Sequence, residues 1–69
     1  PIRISKSTGG NVRIYVEKDA IIEIYSITGS RVIVKALKSH EEFFPNLTNG
    51  TYILQSFIDG QELRLKIVN

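Results

Sequence analysis

The chain has 69 residues, of which 42% are hydrophobic, and it contains no Cys, Met or Trp. A chain this short forms one domain and buries only about 60% of the surface that its unfolded form exposes. Without Cys it gains no stability from disulfides or thiolate zinc sites. The charged residues are interspersed and give a net charge of +2, which predicts an ordinary solvated surface and no nucleic-acid-binding patch.

No run of the sequence approaches the ~18 apolar residues that a membrane-spanning helix needs. Residues 1–20 contain no apolar segment of the kind found in signal peptides. Because the chain begins with Pro1 rather than Met, we expect residues 1–69 to be a single domain of a longer protein, and the last strand near Asn69 suggests its C-terminal domain. If the parent protein is exported, we expect its signal to lie upstream.

Apolar residues recur at every second position along most of the chain, which is the period of a β-strand. Taken in chain order, the alternation predicts strands over residues 2–5, 11–16, 20–27, 31–37, 51–58 and 61–68. Phe43 and Phe44 suggest a further short strand, which Pro45 ends because proline has no N–H to donate. Short strands without any helical period predict an all-β fold, a small immunoglobulin-like antiparallel sandwich of six or seven strands. A partly open barrel is the alternative.

Turn residues separate these strands. The glycine-rich segment 7–10 predicts a turn, and in the predicted loop 28–30 Gly29 takes the left-handed conformation. Asn49-Gly50 is a second turn signal. The pair at 59–60, Asp-Gly, is the strongest hairpin signal in the chain and favours a type I′ turn.

Two strands have informative faces. Residues 20–27 carry apolar side chains on both faces, which predicts a central strand covered on two sides. In the strand 61–68, the alternation places leucine and isoleucine inside and the charged residues Glu62, Arg64 and Lys66 outside. We expect this strand to lie at a sheet edge, where its free backbone groups can pair with a partner by strand addition and Arg64 and Lys66 give charge selectivity. The alternative is that these two charges only guard the edge against aggregation.

The sequence offers little for catalysis. His40 is the only histidine, and its spacing from Ser39 or Ser56 gives no support for a nucleophilic triad. Glu41 and Glu42 are adjacent, so in a strand they point to opposite faces, and no ligand spacing for a metal recurs. We therefore expect no enzyme activity, no cofactor and no metal.

Three segments, IEIYSITGSRV, LTNGTYIL and DGQELRLKIVN, carry the most specific pattern in the chain. In this order they resemble the C-terminal sorting domain of proteins that Bacteroidetes export by the type IX secretion system. The positions that match the family pattern, together with the outward Arg64 of the last strand, are Ile24, Tyr25, Gly29, Val32, Leu47, Gly50, Tyr52, Gly60, Arg64, Lys66, Ile67 and Val68.

The resemblance implies a non-enzymatic sorting and anchoring domain attached to an upstream cargo. The implied partners are secretion and translocon proteins and a sortase-like protease, and the implied route runs through the periplasm to the cell surface. Two alternatives remain open, an immunoglobulin-like accessory domain that packs on a neighbouring domain, and a carbohydrate-binding module with Tyr15 and Tyr25 as its exposed aromatics. Homodimerisation by edge pairing is a further option for a sandwich with free edges.

Overall fold

The structure is a computed structural model that describes residues 2–6 and 11–69. These residues form seven strands and no helix. The strands are β1 (Ile2–Lys6), β2 (Val12–Val16), β3 (Ala20–Ser26), β4 (Arg31–Leu37), β5 (Glu42–Phe43), β6 (Thr51–Ile58) and β7 (Gln61–Val68). The six longer predicted strands are confirmed to within one residue at their ends, whereas the short strand covers Glu42–Phe43 and leaves Phe44 outside it. The predicted turn at 7–10 lies outside the described residues.

The strands form two antiparallel sheets, one with the order β1-β2-β5 and one with the order β4-β3-β6-β7. The all-β sandwich prediction is therefore confirmed. Relative to a constant-type immunoglobulin domain, in which the fourth strand pairs with the first sheet, β4 has moved to the edge of the second sheet beside β3. This move leaves β4 and β7 as the two edges of the four-stranded sheet.

A single core lies between the two sheets. Its buried residues come from both of them: Val12, Ile14, Val16, Ala20, Ile22, Ile24, Leu37, Tyr52, Leu54, Ile58 and Ile67. Alternate residues of β2, β3 and β6 point into this core, as the period of two predicts. The one buried polar side chain in the described ranges is Ser56, whose hydroxyl donates to the Ile21 carbonyl oxygen at 2.9 Å, so its burial leaves no unsatisfied group.

The expectation that β3 is covered on two sides is wrong. β3 is central, since it pairs with β4 and β6, but the described residues cover only its inner face. On its outer face Ile21 is 60% exposed, and Ile27, just past its end, is 73% exposed. An apolar pattern on both faces of a strand therefore marks an exposed apolar surface here.

The tight turns agree with the sequence at most positions. Asp59 and Gly60 both have positive φ, 52° and 76°, as the predicted type I′ turn requires. Gly29 has a φ of 94°, so its left-handed conformation is also confirmed. The loop around Gly29 is longer than predicted, because β3 already ends at Ser26 and Ile27 joins the connection.

Tyr52 fixes the entry to β6. Its hydroxyl donates to the Thr48 carbonyl oxygen at 2.9 Å and lies 2.9 Å from the Thr48 hydroxyl. The ring lies over Gly50, where an added Cβ would be 3.8 Å from a ring carbon. A tyrosine near the start of the sixth strand that bonds back to the preceding loop is the tyrosine corner of immunoglobulin-like sandwiches. This feature supports the immunoglobulin-like form of the sandwich.

Candidate functional site

The family-pattern positions fall into three structural groups. The interior group comprises Ile24 and Ile67, which are buried, Tyr52 in its corner, and Leu47, which packs against the core. The second group contains the glycines of the turns and of the tyrosine corner. The third group is exposed or half-buried on the outer side of the four-stranded sheet: Tyr25, Val32, Arg64, Lys66 and Val68.

The three sequence blocks meet at one end of the four-stranded sheet. Tyr25 of the first block pairs with Ile53 of β6, and Ile53 pairs in turn with Lys66 of the third block. Three residues further along, Gly50 of the second block exchanges two backbone hydrogen bonds with Asn69, at 2.7 and 2.8 Å. Segments that are distant in the sequence thus converge on one patch of surface. Gly60 lies at the other end of the sheet.

A network of charged groups covers part of this patch. The Glu23 carboxylate accepts a hydrogen bond from the Tyr25 hydroxyl at 3.2 Å and lies 3.6 Å from the Arg31 guanidinium. On β7, the Arg64 guanidinium lies 3.3 Å from the Glu62 carboxylate. Within the part of the chain that the structure describes, Lys66 has no ion-pair partner. It therefore carries the uncompensated positive charge of β7.

The opposite end of the same face is apolar. Ile21 pairs with Ala36 on one side and with Phe57 on the other, and Phe57 is 57% and Val34 52% exposed. The outer face of the three-stranded sheet is different, since its residues are charged or polar. Arg13 there bonds Glu42 at 2.6 Å and lies over the ring of Tyr15. Because exposed apolar side chains concentrate on the four-stranded sheet, that sheet presents the candidate interaction surface.

The two edges of the four-stranded sheet differ in how they are protected. On β4, Lys35 pairs with the buried Ile22 and so lies on the inner face, where its ammonium lies 5.7 Å from the centre of the Phe43 ring. The register of β4 also shifts opposite Ile24 and Tyr25. An inward-pointing charge and a bulge are two devices that prevent edge-to-edge pairing.

β7 has neither of these devices. Its register with β6 is unbroken from Gln61 to Val68, and its inward residues Leu63, Leu65 and Ile67 are apolar. The sequence-based expectation that β7 forms a sheet edge is confirmed by the strand order. β7 is also the longest edge strand of the described chain, with eight residues against seven in β4 and five in β1.

The backbone groups of β7 divide between β6 and solvent. Paired residues in an antiparallel ladder alternate between hydrogen-bonded and non-hydrogen-bonded pairs. Because Gly50 and Asn69 exchange both of their bonds, every second residue back from Asn69 is bonded to β6. The N–H and C=O groups of Glu62, Arg64, Lys66 and Val68 therefore face the free edge.

The residues considered for catalysis are not brought together. The His40 Nδ1 lies 2.7 Å from the Tyr15 hydroxyl, whereas the Ser39 hydroxyl donates to the Glu17 carbonyl oxygen at 3.0 Å. Ser56 is buried and bonds elsewhere. Among the described residues there is no group of three or more His, Asp or Glu side chains placed to hold a metal ion.

The two tyrosines considered for a carbohydrate platform lie on different sheets. Tyr15 belongs to β2 and points away from the core, and Tyr25 belongs to β3 of the other sheet. They do not form one aromatic row. The residues that sequence reasoning missed are Ile21, Val34 and Phe57 of the exposed apolar area, and their signal was the apolar pattern on both faces of β3 and β6.

In the ranges 2–6 and 11–69 no helix has the length and hydrophobicity that a membrane crossing requires. Comparison of the chain with protein-family models, with curated proteins and with solved structures gives no significant match.

Proposed function

We propose that this chain is a non-enzymatic sorting and anchoring domain, which directs an attached cargo protein through the outer membrane to the cell surface. One observation carries the proposal. The three blocks that resemble the type IX sorting domain converge at one end of the four-stranded sheet, where Tyr25, Ile53 and Lys66 form one row. Exposed residues from separate blocks gathered on one surface are what recognition by another protein requires.

The interior positions of the same blocks support the proposal in a second way. The Asn69 side chain donates to the Leu47 carbonyl oxygen at 2.7 Å, and the Asn69 backbone pairs with Gly50. These contacts fasten the end of β7 to the loop that precedes β6. They hold the exposed residues of β7 in a fixed geometry, and preorganisation lowers the entropic cost of binding.

A secretion assay tests the proposal. Residues 1–69 are fused to an exported reporter in a Bacteroidetes host with an active type IX system, and surface and periplasmic reporter are quantified. We expect the intact fusion at the surface. Deleting residues 61–69 is a poor comparison, because the deletion removes Ile67, which is only 2% exposed, from the core and so disrupts the fold.

The informative variant is Tyr25→Ala with Lys66→Ala, which changes two outer-face positions and leaves the core intact. We expect this variant to accumulate in the periplasm in a folded, protease-resistant form. The matched control is Lys18→Ala with Lys38→Ala, which removes exposed lysines outside the strands, and it should reach the surface. If the intact fusion stays periplasmic while folded, that host's machinery does not read the domain and the proposal fails.

The exposed apolar area favours a second candidate function, an accessory domain that packs on its neighbour. Ile21, Val34 and Phe57 are each at least half exposed, as expected of surface that another domain covers. Replacing Ile21 and Phe57 by Ser separates the two functions. An accessory role predicts that these substitutions lower the melting temperature of the full-length parent protein, with little effect on the isolated domain, whereas the sorting role predicts no such difference.

A further inference from the structure

We propose that the free edge of β7 binds an extended segment of a partner protein in which acidic residues alternate with apolar ones. The inference rests on the proposed role of this chain as a recognition domain and adds the chemistry of the partner. β7 combines three features. Its outer backbone N–H and C=O groups have no strand to pair with, its outward side chains Arg64 and Lys66 are positive, and its inward leucines are only half-buried.

The backbone of β7 supplies the pairing groups. The N–H and C=O groups of Glu62, Arg64, Lys66 and Val68 point away from β6, as the alternation from the Gly50–Asn69 pair requires. An added strand would satisfy these groups with main-chain hydrogen bonds, which provide affinity independent of sequence. The unbroken register means that no bulge interrupts such a ladder.

The side chains of β7 set the preference. Residues of an added strand that lie opposite Arg64 and Lys66 share the outer face with them, and an opposite charge there is favourable. The charge of Arg64 is partly neutralised by the Glu62 carboxylate at 3.3 Å. An acidic residue of the partner is therefore more favourable opposite Lys66 than opposite Arg64. The residues of the added strand that lie opposite Leu63 and Leu65 point to the inner face of the sheet. Both leucines are only half-buried there, so apolar side chains on the added strand would cover them.

β4 is less suited than β7 to pair with an added strand. Carrying the alternation across β6 and β3 leaves the backbone groups of Val34 and Ala36 free at the β4 edge. An added strand there would have to accommodate the inward Lys35, whose ammonium would lose water without gaining an opposite charge. The free amides of β4 therefore provide an internal control, because an added strand should protect the free amides of β7 and not those of β4.

A second copy of this chain fits the β7 edge less well than an acidic segment. In antiparallel self-pairing, the free residues of one copy lie opposite the free residues of the other. One of the two longest registers places Arg64 opposite Lys66 twice, and like charges directly opposite each other are destabilising. The other places Arg64 opposite Arg64, although in that register Glu62 of each copy lies opposite Lys66 of the other and offsets part of the repulsion. A foreign segment whose acidic residues lie opposite Arg64 and Lys66 avoids both like-charge pairs, and charge complementarity therefore favours it over a homodimer.

Amide hydrogen exchange followed by NMR on the purified 69-residue chain tests the proposal. The probe is a synthetic peptide that alternates valine with glutamate, and the matched control peptide alternates valine with lysine. In the free protein the amides of residues 62, 64, 66 and 68 should exchange fast, and those of 63, 65 and 67 slowly. The valine–glutamate peptide should slow the first set, with the Val34 and Ala36 amides unchanged.

Two variants sharpen the result. Arg64→Glu with Lys66→Glu should weaken binding of the glutamate peptide by about tenfold and reverse the preference towards the lysine peptide. Lys66→Pro removes one free-edge N–H without breaking a β6–β7 hydrogen bond and should weaken binding of both peptides. Val34→Pro makes the same kind of change on β4 and should leave binding unaffected. The circular dichroism spectrum of each variant confirms that it is folded.

Three results would overturn the proposal. The first is equal binding of the two peptides. The second is that the peptide protects the amides of β4 instead of those of β7. The third is that, without any peptide, the amides of residues 62, 64, 66 and 68 exchange more slowly as the protein concentration rises. The third result would assign the edge to a second copy. Peptide binding in a domain that fails the secretion assay would retain the edge site and reject the sorting role, so the two failures are distinguishable.

Discussion

At the scale of single residues, Tyr52 shows how one side chain connects the sequence pattern to the fold. Its ring belongs to the core and its hydroxyl bonds the backbone of Thr48. Gly50, two residues earlier, has a φ of 154°, a backbone conformation that residues with a side chain rarely adopt. The spacing Gly-x-Tyr therefore encodes the geometry of a corner, and its presence in the pattern has a structural cause.

Replacing Tyr52 by Phe keeps the ring and removes the hydroxyl. The Thr48 carbonyl oxygen then loses the shorter of its two side-chain hydrogen bonds and keeps the one from the Asn69 amide at 3.3 Å, and we expect the free energy of unfolding in urea to fall by about 1 kcal/mol. The matched control is Tyr25→Phe, whose hydroxyl bonds Glu23 at 3.2 Å on the outer face, and it should cost less than about 0.5 kcal/mol. Equal effects of the two substitutions would contradict the special role of the corner.

Glu42 gives the domain a pH dependence. The hydrogen bond from Arg13, at 2.6 Å, is the main reason why the pKa of Glu42 is lowered in the folded protein. A lowered pKa means that the ionised form stabilises the fold. This contribution is fully present above the ordinary glutamate pKa of about 4.3 and is lost as the pH falls through the lowered pKa.

The variant Arg13→Gln tests this dependence. As the pH falls below about 4.3, the wild type should lose stability more steeply than the variant, so that the difference between them shrinks. Urea unfolding at a series of pH values measures the difference. Arg3→Gln is the control, because Arg3 lies 3.7 Å from the Glu17 carboxylate and is well exposed; it should follow the wild-type slope. A difference that stays constant with pH would rule out the Glu42 contribution.

At the scale of elements, the strands could be predicted from the sequence because each has the period of two. β5 is the exception, since two residues are too few to show a period, and only the Phe43-Phe44-Pro45 sequence marked it. The alternation in β4 separated Lys35 from Val34 and Ala36, but it could not say which set faces inward. That choice depends on the pairing of Lys35 with Ile22 across the sheet, which is a tertiary fact.

The candidate surface was predictable only in part. The outward charges of β7 follow from its alternation, and its edge position was expected. The apolar area around Ile21 and Phe57 was missed because an apolar pattern on both faces looks the same whether or not something covers the second face. The convergence of Tyr25 and Lys66 depends on β6 lying between their strands, and strand order is set by packing of the whole sheet.

Lys35 protects the β4 edge, and its replacement should expose that edge. Lys35→Ile removes the inward charge from an edge strand whose neighbours Val34 and Val32 are already about half exposed. We expect self-association that increases with protein concentration, measured by sedimentation velocity. The control Lys38→Ile adds the same side chain after the end of β4 and should stay monomeric. A monomeric Lys35→Ile variant would show that other features protect this edge.

At the scale of the whole molecule, both sheets depend on one core. The buried residues of β2 lie in one sheet and those of β3 and β6 in the other, and they form a single cluster. No disulfide is available, since the chain has no Cys. A domain of this length has a total stability of roughly 3–10 kcal/mol, so the loss of one central side chain is a large fraction of it.

Leu54 tests whether the sheets unfold together. It is fully buried on β6, and Leu54→Ala should lower the free energy of unfolding by about 3 kcal/mol through lost burial and the cavity left behind. Because the two sheets share the core, the amides of β1 and β2 should lose exchange protection together with those of β3 and β6. Gln55→Ala, at the next position on the outer face, should cost less than about 0.5 kcal/mol. Protection that persists in β1 and β2 while β6 opens would mean that the three-stranded sheet holds its structure independently.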